Sequence, residues 1–132
     1  MTDLHFDSGF ERGLYAVIDP TVVTYHPDVR LDYVIEKKYE PDWYVKEDGV
    51  EYFIEAKGRF RDSEEARKYV EIKKSLNDNQ RLVFILQRPN GKMPNSRRRK
   101  DGTYFCMADW CDRHGFEWYM AQTLPDRWRR KL

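Results

Sequence analysis

Cysteine is nearly missing and long apolar runs are missing altogether. Only Cys106 and Cys111 carry thiols in a chain of 132 residues. They lie in one expected helix, five apart and on different faces, so no bridge between them is expected. Free thiols suit a reducing compartment. Cys111 and His114 form a Cys-x-x-His fragment, but zinc needs a third and a fourth ligand at suitable spacing. Buried structural thiols are the expectation instead. No stretch reaches the roughly 18 consecutive apolar residues of a membrane-spanning helix. Residues 1–10 carry acids and no apolar run, so they do not read as a secretory signal. These absences make a cytoplasmic protein without a membrane partner the expectation.

Net charge is also nearly absent, at +1, but its two contributions are separated along the chain. Residues 1–57 hold 13 acids and 6 Lys or Arg, a balance of −7. Residues 58–132 hold 10 acids and 18 Lys or Arg, a balance of +8. Acids gathered in one half and bases in the other fit a metal-dependent enzyme acting on a polyanion. They also fit two halves that attract each other as they fold. An aromatic share of 15% excludes a disordered chain. The length suits one domain, 1–132, with a single core.

The local patterns give an α/β order of elements. Ser8-Gly9-Phe10-Glu11 fits a capping box, and Phe10, Leu14, Val17 and Ile18 recur at helical spacing, so the first helix is expected over 8–18. Pro20 stops it, and 19–30 read as a loop. Leu31, Tyr33 and Ile35 alternate with polar neighbours and suggest a short strand. Pro41 then leads into a hairpin over 42–56, turning at Glu47-Asp48-Gly49. A second helix starts at Asp62 or Ser63 and runs to about Leu76, with Ala66, Tyr69, Val70 and Leu76 inward. The apolar run Arg81–Gln87 reads as a central strand buried on both faces. Residues 88–102 form a basic loop, a third helix spans 104–114 up to Gly115, and 116–120 form a last strand. The aromatic residues are expected to fill the core rather than stack on bases.

The residues that carry chemistry sit on the expected hairpin. Pro41-Asp42 is followed, after twelve intervening residues, by Glu55-Ala56-Lys57. Side chains two apart share a strand face, so Glu55 and Lys57 are neighbours and Asp42 can join them from the adjoining strand. Two carboxylates bind a hard cation such as Mg2+ through oxygen. The metal lowers the pKa of bound water and screens a phosphodiester. A neighbouring Lys orients the water and stabilises charge developing on the phosphate. The competing reading is a charged hairpin with a Glu–Lys ladder across strands. Glu11 is a fourth candidate, which a capping box would also explain.

In order along the chain, further segments join this motif. Ser8-Gly9-Phe10-Glu11, Tyr33-Val34-Ile35, Tyr39-Glu40-Pro41-Asp42, Glu55-Ala56-Lys57-Gly58, Arg81-Leu82-Val83-Phe84, Trp110-Cys111-Asp112-Arg113-His114-Gly115 and Leu124-Pro125 with Trp128 follow one another. Together they resemble the phage endonuclease I family. These are the Holliday-junction resolvases of short-tailed, T-seven-like phages, within the PD-(D/E)xK superfamily. The resemblance implies a restriction-endonuclease-like core, a mixed central β-sheet flanked by helices. It carries Glu11, Asp42, Glu55 and Lys57 onto the family's catalytic residues. Glu11, Asp42 and Glu55 would hold two Mg2+ per site, with Mn2+ as a substitute. It further implies an intertwined homodimer whose composite sites take Glu11 from one chain and the hairpin from the other. The connection from Glu11 to Asp42 is shorter than in the family. The expected function is metal-dependent cleavage of four-way junctions and other branched DNA, leaving 5′-phosphate and 3′-hydroxyl ends.

Basic residues would grip the DNA backbone: Arg59, Arg61, Arg88, Lys92, Arg97, Arg98, Arg99 and Lys100. Two other functions fit the same motif. One is a general DNA-degrading nuclease without branch selectivity. The other is a non-catalytic nucleic-acid-binding module.

Overall fold

A computed structural model describes residues 8–131. By their contacts the residues group into two compact units, Met1–Lys37 and Lys38–Leu132.

The first unit carries helix α1, Gly9–Tyr15. Ser8 caps it, its Oγ accepting the Glu11 N–H at 3.0 Å. The helix ends before the expected Ile18, although the Val17 and Ile18 N–H groups still turn back to the Leu14 carbonyl at 2.9 and 2.8 Å. The expected strand at 31–35 does not form. Leu31, Tyr33 and Val34 are 88, 79 and 91% exposed, and no described segment pairs with them. Alternation alone does not make a strand, because the backbone must also find a ladder partner.

The second unit is built on four strands in spatial order β1-β2-β3-β4. Strand β1, Trp43–Glu47, and β2, Val50–Lys57, form the expected antiparallel hairpin. Asp48 and Gly49 both have positive φ, 50° and 81°. That geometry gives a two-residue turn whose twist matches the strands, and Asp-Gly suits it. Helix α2, Ser63–Lys74, then crosses to β3, Gln80–Leu86, which runs parallel to β2. Asp62 caps α2 by accepting the Glu65 N–H at 2.9 Å. Acids in its first turn and lysines in its last complement the helix dipole.

Helix α3, Met107–Arg113, starts later than expected. The residues before it are extended, with the Met93 N–H donating to the Phe105 carbonyl at 2.9 Å. Gly115, at φ 72°, releases the chain into β4, Glu117–Tyr119, parallel to β3. The sheet is therefore mixed, with one antiparallel edge strand.

The core forms on one face of the sheet. Leu82, Phe84 and Leu86 of β3 pack with Ala66 and Tyr69 of α2, Met107, Trp110 and Cys111 of α3, and Phe60 and Phe116. Phe84 is fully buried, and the rings of Tyr69, Trp110 and Phe116 meet it edge-on at 5.2, 5.7 and 5.1 Å. The apolar run of β3 is buried on both faces as expected, since Val83 is also fully buried. Burial pushes the Cys111 thiol up to about 12, with Asp112 and Cys106 adding to it, which leaves the thiol inert.

Candidate active site

The β2–β3 register sets Glu55 beside Phe84 and Lys57 beside Leu86. Residues paired in this way share a face, so Glu55 and Lys57 lie on the side that α2 covers. That is why Glu55 is 6% exposed although its side chain is a carboxyl. Continuing the β1–β2 register one residue past Trp43↔Ile54 brings Asp42 opposite Glu55. Asp42 Oδ2 accepts the Ala56 N–H at 2.9 Å, which fixes the aspartate against the second strand. Its neighbour across the strands is the Glu55 carboxyl, and each of the two acids shifts the titration of the other.

The two carboxyls respond in opposite directions. The Ala56 N–H holds Asp42 below the usual carboxylate range, aided by the Glu55 carboxyl and Lys57. Burial pushes Glu55 up; the Tyr39 hydroxyl pulls it down, and the adjoining Asp42 pushes it up again. Two like charges side by side, one of them buried, favour either a shared proton or a bound cation. The donors are hard oxygens, which suit Mg2+. Among the described residues no group of three or more His, Cys, Asp or Glu gathers at one point. Asp42 and Glu55 are therefore a pair, and an ion held by them would keep waters or take a further ligand from elsewhere.

Lys57 is held among partners that the sequence pattern does not reveal. Its Nζ lies 3.9 Å from Glu55 Oε2 and 3.5 Å from Glu65 Oε1, and 5.0 Å from the Tyr69 ring centroid. Burial works against its charge, but Tyr69, Glu65 and Glu55 outweigh it and raise the ammonium above its ordinary value. Tyr39 donates its hydroxyl to Glu55 Oε1 at 2.5 Å, and burial followed by the Glu55 bond pushes its own pKa up. Glu65 and Tyr69 are four apart on α2, on one helix face. Glu65 sits three residues after the Asp62 cap and reads in sequence as a capping-box acid. Nothing local marks it as a partner of Lys57.

Glu11 belongs to the other unit, where its carboxylate accepts from the Tyr25 hydroxyl and lies 3.1 Å from His26 Nε2. The basic candidates are exposed, and they differ in their partners. Arg61 lies 3.4 Å from Asp62, and Arg99 3.4 Å from Asp109. Lys92 lies over the Tyr104 ring at 4.7 Å. Arg59, Arg88, Arg97, Arg98 and Lys100 make no ion pair among the described residues.

Comparison with models of known protein families and with curated proteins finds no match to this chain. Among the described residues no helix is long and apolar enough to cross a membrane.

Proposed function

We propose that this chain is a metal-dependent, structure-selective DNA endonuclease that resolves four-way junctions and other branched DNA, with a restriction-endonuclease-like core of the phage endonuclease I kind. One observation carries the reading. Asp42 and the buried Glu55 adjoin at the open end of a hairpin, with the Lys57 ammonium 3.9 Å from Glu55. Burying Glu55 beside the exposed carboxyl of Asp42 costs stability unless a cation is meant to join them.

A bound Mg2+, or Mn2+ in its place, would supply a nucleophilic water and screen the phosphodiester. Asp42 and Glu55 would hold it, with Glu11 as a third carboxylate and two ions per site in the full reading. The Ala56 N–H aims Asp42, and the Tyr39 hydroxyl aims Glu55. Lys57 faces the developing charge on the phosphate, and Glu65 and Tyr69 keep its ammonium protonated and in position.

A homodimer suits the substrate, since resolution needs two cuts related by a two-fold axis. The exposed Val17, Val22, Val29, Leu31 and Val34 of the first unit support a partner surface. In the proposal that partner is a second copy supplying Glu11. The Lys57–Glu65 pair also supports the rival, a binding module with a static ion-pair ladder.

Digestion of an end-labelled four-way junction, beside a linear duplex of the same sequence, separates the readings. Paired nicks on the junction in Mg2+, none in EDTA and little cutting of the duplex are expected. Equal cutting of both substrates would leave a general nuclease. No cutting in any divalent ion would leave the binding module.

A further inference from the structure

A second feature lies where the chain leaves the hairpin, directly after Lys57. At the carboxyl ends of the parallel strands β2 and β3 there is a hollow of about 390 Å3. Gly58, Arg59, Gln87, Arg88, Gly91 and Lys92 line it. We infer that this hollow binds one backbone phosphate of a nucleic-acid strand, held by Arg59, Arg88 and Lys92. The inference rests on the nuclease reading for its substrate, but its own evidence is separate.

Three cations line the hollow and no acid does. Neither Arg59 nor Arg88 has an ion-pair partner among the described residues, whereas Arg61, Arg99 and Arg127 lie within 3.4, 3.4 and 3.0 Å of a carboxylate. Cations gathered around one space repel each other, and an anion entering that space relieves the repulsion. Arginine presents a planar fork of donors that matches phosphate oxygens, so two of them favour phosphate over a diffuse counter-ion.

The frame of the hollow is built rather than loose. The Gly91 N–H closes a turn onto the Arg88 carbonyl at 2.9 Å, and the Gly91 and Pro89 carbonyls accept from Met107 and Ala108 at 2.9 Å each. A Cβ on Gly91 would sit 3.0 Å from the Arg88 carbonyl oxygen, so a side chain there would have to push the turn by a few tenths of an ångström. The Gln87 N–H donates to the Lys57 carbonyl at 3.0 Å, tying the wall of the hollow to the residue that faces the reaction. Gly58 follows Lys57 directly, so a phosphate here belongs to the strand being cut, beside the scissile group. Open α/β sheets place ligands at this position, outside the carboxyl ends of parallel strands.

The test measures binding without cleavage. Four-way junctions with single uncharged methylphosphonates walked along one strand are titrated with protein in EDTA. The wild type is expected to lose roughly tenfold in affinity at one position near the cut site. Arg59→Gln with Arg88→Gln should bind unmodified DNA roughly tenfold more weakly and become indifferent to that position. Its plot of log affinity against log salt should flatten by about 0.9 for each phosphate that is no longer neutralised. Arg88→Lys, which keeps the charge, should retain the slope and lose part of the affinity.

An unchanged affinity and slope in a folded double variant would overturn the inference, as would a double variant still sensitive at the same phosphate. So would a variant that loses inorganic phosphate binding while binding DNA normally, since the hollow would then serve a free anion. Nicking in Mg2+ is scored separately. A protein that never cuts but shows the positional effect loses the nuclease reading and keeps the phosphate site. One that cuts and binds normally without Arg59 and Arg88 keeps the nuclease and loses the site.

Discussion

Glu55 is the buried acid of the hairpin, set beside another acid and compensated by the Tyr39 hydroxyl and the Lys57 ammonium. Replacing Asp42, Glu55 or Lys57 by Ala is expected to lower nicking by orders of magnitude while far-UV circular dichroism stays native. A folded variant that still cuts at the wild-type rate removes its residue from the site. The pKa directions give a second expectation. Glu55 is raised in the folded chain, so its contribution is fully present below the unfolded carboxyl range and is lost as pH rises through the folded value. Asp42 is lowered, so its contribution is present above the unfolded range and is lost as pH falls through the folded value. In EDTA, Glu55→Gln should therefore melt higher than wild type at neutral pH, and the advantage should shrink as the pH falls into the ordinary carboxylate range. Adding Mg2+ should raise the melting temperature of wild type and leave that of Glu55→Gln unmoved. Identical melting curves for the two proteins at neutral pH in EDTA would mean that the Glu55 charge carries no burial cost.

Helix α2 does two things, roofing the core with Ala66 and Tyr69 and bringing Glu65 and Tyr69 to Lys57. Both depend on how its first turn is held. Asp62→Ala removes the cap bond to the Glu65 N–H and should cost about 1 kcal/mol by urea denaturation. Because Glu65 sits in that turn, nicking should fall several-fold more than the stability loss accounts for, and raising protein concentration should not restore it. A variant that loses stability but cuts normally would show that Glu65 has no part in holding Lys57. The basic loop is a separate element with its own expectation. Neutralising Arg97, Arg98, Arg99 and Lys100 together should flatten the salt dependence of junction binding by about 0.9 for each phosphate they had neutralised. Arg99 is engaged by Asp109 and by the Phe105 ring at 5.8 Å, so the change in slope should reflect the other three cations more than all four. An unchanged slope would mean that the loop faces away from DNA.

The assembled protein has one decisive property, the origin of Glu11. That residue lies in the unit Met1–Lys37, and Asp42, Glu55 and Lys57 lie in Lys38–Leu132. If active sites are composite, a heterodimer carrying Glu11→Ala and Asp42→Ala on one chain has no intact site and should not nick. With the two changes on different chains, one site is doubly damaged and the other intact, so junctions should be nicked on one side only. Sites built within single chains reverse the two outcomes. Sedimentation of the wild type comes first, and a monomer at working concentration rules out composite sites before any mixing.

Local chemistry accounts for what could be read from the residues alone. Asp48-Gly49 dictates a tight turn, alternation dictates which side chains share a face, and together they align Asp42, Glu55 and Lys57 without reference to the rest of the chain. The β3 run and the cap of α2 were legible for the same reason: each is written in consecutive residues. Other features depend on partners distant in sequence. Residues 31–35 alternate as a strand would but meet no ladder among the described residues. The extended path of 104–106 depends on pairing with 92–93, which delays α3 to Met107. Tyr39 and Glu65 look ordinary in sequence and become part of the site only because β2 is buried beneath α2. Arg59, Arg88 and Lys92 are scattered along the chain, and the parallel pairing of β2 with β3 brings them to one hollow. Periodicity and turn chemistry act over a few residues, whereas burial, pKa and the convergence of charge come from packing between segments.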